Sequence, residues 1–412
     1  MRFAPLTLLC CALVTALSGE DASGKWGGPG SEGIIPHGGH SIGNGDGGGG
    51  GSWGGCNPAT CDAQCTGSWS FQPQATFPAG HYVSSVAVGD FNKDGHLDFV
   101  TANSGDAELG VFLGTGSGSF QAETNLSVRN FVNSVAVGDF NEDGHLDIVA
   151  AIVNDIVGVF LGTGSGSFQA ETTFPVGSEP NSVAVGDFNR DGHLDIVTAN
   201  LNDSTVSVLL GTGSGSFQAQ AKFAVGTFPW SVAVGDFNRD GHLDIVTANF
   251  KDRTVSVLLG TGSGSFQAQT TFPVGIDPVS VAVGDFNGDG HLDIVTANGG
   301  DGNVGVLLGT GSGSFQAQIT FPVGSSPSGV AVGDFNGDGH LDIVTANTDN
   351  ATVSVLLGTG SGSFQAQLTF AVGSNPLAVA VGDFNGDGLL DVVAANSESQ
   401  TVSILLGTCA TN

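Results

Sequence analysis

The chain is poor in positive charge. Lys and Arg number 9 against 39 Asp and Glu, a formal net charge of -30, and nucleic acid and anionic membrane surfaces repel such a polyanion. Bound cations are the expected compensation. Charged residues of either sign make up only 12% of the chain, while glycine reaches 68; this balance disfavours long helices and suits short strands joined by tight turns. Beyond the N-terminus no run approaches the roughly 20 apolar residues that a helical membrane span needs. No Gly-x-Ser-x-Gly elbow and no Ser, His and acid constellation stands out, and the acidic residues recur uniformly instead of forming one singular site. A catalytic function is therefore not expected.

At the N-terminus, Arg2, the apolar stretch from Leu6 to Leu17 and the small residues around Ser18 predict an export signal over residues 1–18, and hence a secreted or cell-surface protein. Cys10 and Cys11 fall inside that signal. The remaining Cys56, Cys61, Cys65 and Cys409 are an even set, which in an exported protein points to disulfides. Residues 19–55 are Gly-rich, with Gly47 to Gly51 consecutive, and cannot bury enough surface to offset the entropy of ordering. They read as a flexible tether, followed by a Cys-containing segment over 56–65 and a repeat domain over 66–412.

The repeat is marked by Gly-Asp-Phe-Asn-x-Asp-Gly-x-Leu-Asp, whose first Asp falls at 90, 139, 187, 236, 285, 334 and 383, in steps of 49, 48, 49, 49, 49 and 49 residues. Seven copies at a period near 50 suit a closed ring. Each copy holds four short β-prone runs. In the fourth they are Ser231 to Gly235, Leu243 to Thr247, Val255 to Leu259 and Phe266 to Phe272. Four strands make one blade whose apolar faces only neighbouring blades can cover, so the predicted fold is an all-β, seven-bladed propeller of four-stranded antiparallel blades.

The ends of the chain complement each other. The seventh copy breaks off at Gly407-Thr408-Cys409, midway through the Gly-Thr-Gly-Ser-Gly-Ser-Phe turn that the other six complete, and Cys65 to Phe71 aligns with that same turn. Phe71 lies 19 residues before Asp90, as Phe120 does before Asp139. The last blade should thus take its outer strand from the N-terminus. Cys65 is expected to bond Cys409, and Cys56 to bond Cys61; the first would close a loop of roughly 340 residues and stabilise by about 5 kcal/mol in the chain-entropy model.

Within the marker, Asp, Asn and Asp at positions 1, 3 and 5, Gly at 6 and Asp at 9 place hard oxygen donors on one side of a tight loop, with the position-7 carbonyl added: the ligand order of calcium. The candidate ligands are Asp90, Asn92, Asp94, His96 and Asp98 in the first copy, and Asp139, Asn141, Asp143, His145 and Asp147 in the second. The third offers Asp187, Asn189, Asp191, His193 and Asp195, and the fourth Asp236, Asn238, Asp240, His242 and Asp244. Then follow Asp285, Asn287, Asp289, His291 and Asp293; Asp334, Asn336, Asp338, His340 and Asp342; and Asp383, Asn385, Asp387, Leu389 and Asp391. Leu389 in place of His shows that position 7 needs only its carbonyl. Position 12 (Thr101 in the first copy) is not Glu, so the loop is not an EF-hand. Asp-Gly and Asn-Asp turns are ordinary hairpin chemistry, but three carboxylates packed into each of seven turns repel one another unless a cation joins them. Seven Ca2+ ions would bring the formal charge from -30 to about -16.

These Asp-x-Asn-x-Asp-Gly-x-x-Asp loops with Phe-containing turns between them resemble FG-GAP/VCBS repeats, the unit of integrin α-subunit heads and of many exported microbial proteins. The resemblance covers about residues 66–412. It implies a seven-bladed propeller with structural calcium in hairpin loops on one face and ligand binding on the other. The chain carries the loop in all seven copies and lacks integrin leg domains.

Differences among copies concentrate in the loop between the second and third strands and in the blade-to-blade connection, which share the face opposite the acidic loops. That face holds Tyr82, Arg129, Phe131, Phe228, Trp230, Phe250, Lys251 and Arg253. Of these, Tyr82, Arg129, Phe131, Trp230, Phe250 and Arg253 are the candidate ligand contacts, as aromatics beside cations suit a sugar or a peptide carboxylate; drift in unconstrained loops is the bland alternative. The expected function is a monomeric binding or adhesion module for a glycan or an extracellular protein. A purely structural surface or matrix protein is the alternative, and a non-catalytic domain of a secreted hydrolase or lyase a third reading. Asn125, Asn202 and Asn350 open N-x-S/T sequons, which matter in a eukaryotic host.

Overall fold

β-Branched runs such as Ile245-Val246-Thr247 favour extended backbone, and Gly, Asn and Asp at their ends turn the chain. In the computed structural model, which describes residues 68–410, these runs make four-stranded antiparallel sheets. The predicted export signal, the Gly-rich tether and Cys56, Cys61 and Cys65 lie outside the described residues. The fourth sheet consists of Pro229–Gly235, Asp244–Asn249, Thr254–Leu258 and Thr270–Pro273, paired in chain order. Among the described residues the single helical element is the short 3-10 turn Thr348–Asn350.

Six sheets use four consecutive strands. The seventh takes Pro376–Gly382, Asp391–Asn396 and Thr401–Leu405 from the C-terminal end and Ala75–Pro78 from the N-terminal end. Beside it, Ser68–Phe71 pairs with Gly407–Ala410, and the register Phe71↔Gly407 repeats the bridge Gly114↔Phe120 of the first blade. The two ends therefore meet in one blade, as the spacing predicted. Cys409 lies opposite Trp69 in this ladder and is disulfide-bonded.

The inner strands neighbour one another around the ring, with Pro376–Gly382 against Val83–Gly89 closing it. The hydrophobic core is accordingly not one mass but seven clusters, each shared by two adjacent blades; one joins Val135, Val137 and Ile148 of blade 2 to Val100, Leu109 and Val111 of blade 1. Serines of five inner strands tie neighbours at backbone level, as Ser85 Oγ accepts from Val135 N–H.

The sequence reading placed a continuous outer strand over Phe266 to Phe272, and this is corrected. Phe266 makes only an isolated bridge to Gly260, the chain then leaves the ladder, and the strand begins at Thr270. The reason is the phenyl ring, which turns away from its own sheet onto Phe188 and Phe223 of the preceding blade at centroid distances of 5.6 and 5.1 Å. Each copy repeats this edge-on contact: Phe120 meets Phe384, Phe168 meets Phe91, Phe217 meets Phe140, Phe315 meets Phe237 and Phe364 meets Phe286. In the closing blade Phe71 meets Phe335 at 6.0 Å, with buried Trp69 beside it. Replacing Phe71 with Ala should destabilise the whole domain by about 3–5 kcal/mol, as expected of a buried ring, and lower the thermal midpoint as much as Phe217→Ala does. An unaffected midpoint in Phe71→Ala would mean that the N-terminal strand does not close the ring.

Candidate metal loops and the opposite face

The acidic loops join the first strand of each blade to the second, and the Gly-Thr-Gly-Ser-Gly turns join the third to the fourth, so antiparallel pairing brings both to one face. They touch there: a Cβ added at Gly116 would fall 2.4 Å from the His96 ring. The loop is built on left-handed residues. Position 6 is Gly throughout (Gly95, φ 83°), and position 4 is left-handed as Gly288, Gly337 and Gly386 in three copies and as Lys93, Glu142, Arg190 and Arg239 in four.

Within the first loop the Asp90 carboxylate accepts the N–H groups of Asp94 and Gly95 at 3.2 and 2.9 Å, and Asn92 Oδ1 accepts from Asp94 N–H at 3.0 Å. Asp94 Oδ1 accepts from His96 N–H at 2.9 Å. Equivalent bonds close all seven loops. The position-9 Asp has a role that the ligand pattern did not reveal. Asp98 is fully buried; its Oδ2 accepts from Phe91 N–H at 2.8 Å and its Oδ1 from Gly114 N–H at 2.7 Å, so one carboxylate pins the acidic loop to the start of the neighbouring turn. Asp147, Asp195, Asp244, Asp293, Asp342 and Asp391 do the same.

Among the described residues no three His, Cys, Asp or Glu side chains converge as a metal cluster; the loop carboxylates are turned onto the loop's own N–H groups. The chemistry of the donors nonetheless fits a hard cation. Each loop offers two Asp carboxylates, an Asn amide oxygen and a peptide carbonyl beside the buried Asp. Burial first, and then the charges of Asp90 and Asp94, push the Asp98 carboxyl up to about 6 against the pull of its two N–H bonds. A cation held by Asp90, Asn92, Asp94 and the His96 carbonyl would relieve that repulsion. The His rings are not inert either: His242 and His291 approach Asp240 and Asp289 at 3.0 and 3.1 Å, and His193 pairs with Glu142 of the preceding loop.

On the opposite face the candidate ligand residues separate into two groups. Tyr82, Arg129 and Phe131 lie on the connections entering blades 1 and 2, with Tyr82 37% and Phe131 52% exposed. The rest belong to blade 4. There Trp230 and Phe250 lie 5.0 Å apart, half-buried against the core shared by blades 5 and 6, and Lys251 sits over the Phe228 ring at 4.9 Å. Arg253 is exposed on a left-handed backbone. Two cavities of about 410 and 380 Å³ lie elsewhere, where the outer strand of one blade meets the turn of the next, one lined by Phe272, Leu307 and Gln318 and the other by Phe223, Leu258 and Gln269.

A clamp missed by sequence reading holds six of the seven connections. The residue after the connection's glycine gives its N–H to a side chain of the second-to-third strand loop: His81 to Asp106, Ser178 to Asp203, Thr227 to Asp252, Ile276 to Asp301, Ser325 to Asn350 and Ser374 to Ser399. The recurring Asp of that loop was its only signal.

A family model described as an FG-GAP-like repeat matches residues 63–101, 90–150, 151–198, 188–247, 240–296, 287–345 and 334–394. No curated protein is detectably similar in sequence. Several solved structures share the fold. BBS1N, solved in complex with ARL6DN, is 14% identical with a TM-score of 0.60 over 84% of this chain and 99% of that one. Streptogramin B lyase is 14% identical with a TM-score of 0.57 over 82% and 98%. A lectin of Agrocybe aegerita that recognises non-reducing terminal N-acetylglucosamine is 19% identical, with a TM-score of 0.51 over 81% and 86%.

Two outcomes test the buried carboxylates. Asn at position 98 keeps the shape but turns an NH2 toward one of the two N–H donors, so Asp98→Asn should cost about 1–3 kcal/mol in chemical denaturation. The folded-state pKa values, about 6 for Asp98, Asp147 and Asp195 and about 7 for Asp244, Asp293, Asp342 and Asp391, lie above that of an unfolded Asp. The folded state thus holds extra protons above about pH 4, and this stabilisation is lost as pH rises through 6 and 7. In the presence of a chelator the thermal midpoint should be higher at pH 5 than at pH 8; the reverse order would contradict the burial argument.

Proposed function

Because the chain belongs to the FG-GAP-like repeat family over most of its length, we propose that it is a secreted, calcium-loaded propeller serving as a binding module, which takes a glycan or an extracellular protein on the face opposite its acidic loops. The observation that carries this reading is the division of the two faces: seven loops of one donor set on one side, and copy-specific aromatic and basic residues on the other. The loops would each hold one Ca2+ through the position 1, 3, 5 and 9 side chains and the position-7 carbonyl, stiffening the ring. Propellers of like shape engage ARL6DN in one case and terminal N-acetylglucosamine in another, which supports a ligand-binding role without naming the ligand. No catalytic step belongs to this reading, since every acidic loop position recurs in all copies. Disulfides Cys65 to Cys409 and Cys56 to Cys61 complete it.

Calcium removal tests the proposal directly. Excess chelator should lower the thermal midpoint at pH 7.5 by ten degrees or more, and added Ca2+ should restore it with a dependence on ion concentration. An unchanged midpoint would leave the loops as hydrogen-bonded turns only. Screening the calcium-loaded protein against glycans and matrix proteins should then give binding that the chelator abolishes.

A further inference from the structure

Blade 2 departs from the other six in a coordinated way. In the other blades an Asn at the end of the second strand anchors a buried polar network that runs through neighbouring Thr, Ser or Asn side chains to a Gln or Glu before the outer strand. Asn200 Nδ2 donates to Ser207 Oγ, which donates to Gln220 Oε1, and in blade 1 Asn103 Nδ2 donates to Glu123 Oε1. The connection passes over this Asn as a glycine, where an added Cβ would fall 2.4–2.7 Å from the Asn side chain. Blade 2 has Ala150, Ile152 and Gly158 where the donors stand, and Arg129 in place of the glycine. Glu171 is left with Oε1 buried and unpartnered, while its Oε2 accepts from Arg129 Nε at 3.1 Å.

The connection is also unclamped. The 48-residue step shortens the blade-2 loop to Val153, Asn154 and Asp155, with the last two left-handed, and Asp155 bonds Glu179 N–H of the next connection instead of Asn130 N–H. Asn130 Oδ1 accepts from Phe131 N–H. The result is an arginine fixed through Nε by a side chain nine-tenths buried, itself 66% exposed, and followed two residues later by Phe131, 52% exposed.

Resting on the reading of this face as ligand-binding, we propose that Arg129 and Phe131 form a site for a carboxylated sugar, a uronate residue of an otherwise neutral glycan, with Glu171 as the positioning residue. The Nη groups left free by the Nε bond match a planar carboxylate two-fold. The exposed ring suits the C–H face of a pyranose. A single fixed cation on a chain of net charge -30 accommodates one carboxylate and not a polyanion. Arg129 and Phe131 are both largely exposed and present an open surface, which suits the face of a sugar ring.

The test is calorimetric titration of the full chain in calcium with methyl glucuronide, methyl glucoside and N-acetyl-diglycine. The glucuronide should bind at least tenfold more tightly than the other two. Arg129→Gly/Glu171→Gln, which restores the residues found in most other copies, should weaken it at least tenfold, and so should Phe131→Ser, the residue that copy 6 carries; the second variant serves if the first fails to fold. Equal binding of glucuronide and glucoside, or binding unchanged in the variants, overturns the assignment. Preference for the peptide carboxylate overturns it in favour of a chain terminus. Failure of the glucuronide alongside a different ligand on the same face would sink this site and leave the binding-module reading standing; no ligand at all would sink both.

Discussion

The structure depends on a buried carboxylate repeated seven times. Asp98 accepts one N–H from the acidic loop and one from the start of the third-to-fourth strand turn. The residue whose N–H it holds, Phe91, offers its carbonyl to Gly166 of the next blade. Each blade is thereby joined internally by a carboxylate, six of the seven seams are bridged by such a peptide N–H to carbonyl bond, and edge-on aromatic pairs line the same seams. A lone ionised carboxyl in such a place would be costly; two short N–H bonds offset the burial in part, and the charges of the two other Asp residues of the loop work against it. The acidic loop is therefore both a fastening and a source of repulsion, which is the physical ground for expecting a cation there.

This arrangement explains which segments are free to differ. The Gly-Thr-Gly-Ser-Gly-Ser-Phe turn is the same in six copies because it serves three partners. Gly114 gives its N–H to the buried Asp, Gly118 occupies a left-handed position against Leu406 of the neighbouring blade, and Phe120 fills the seam. In the closing blade Trp69 stands where Gly118 stands in the first, packed on Phe71 and Phe335. The opposite face is held by a side-chain clamp in six connections and by backbone bonds such as Phe250 N–H to the Phe228 carbonyl, neither of which fixes the side chains at the tip of the connection, and there the copies diverge.

The ring, the blade and the closure were legible in the sequence because each is written in a spacing: 49 residues between copies, 19 from Phe71 to Asp90. The acidic loop was legible because its residues are within nine of one another. What was not legible joins positions far apart. Asp98 reaches Gly114 across 16 residues, and Phe266 was taken for a strand residue because β-propensity does not say that its ring serves the neighbouring blade. The ligand-face residues were grouped by composition, but Trp230 and Phe250 pack on the core of other blades while Phe131 remains open.

In a near-perfect repeat, drift and function leave different marks. Drift changes one position at a time, and here nearly every single step is penalised. Glu in place of Gln buries a charge unless Asn or Arg129 partners it, Arg in place of Gly collides with Asn unless that Asn is gone, and Ile in place of Asn strands the outer-strand acceptor. Blade 2 carries all of these changes together and still leaves Glu171 Oε1 without a donor. Blade 1 holds Glu123 at the same position and satisfies it with Asn103, so a carboxylate there does not itself require an arginine. Blade 2 does without the polar network by which blade 1 satisfies its carboxylate. That it was abandoned where the clamp is also missing and an aromatic ring stands exposed argues that this corner of the ring answers to something outside the fold.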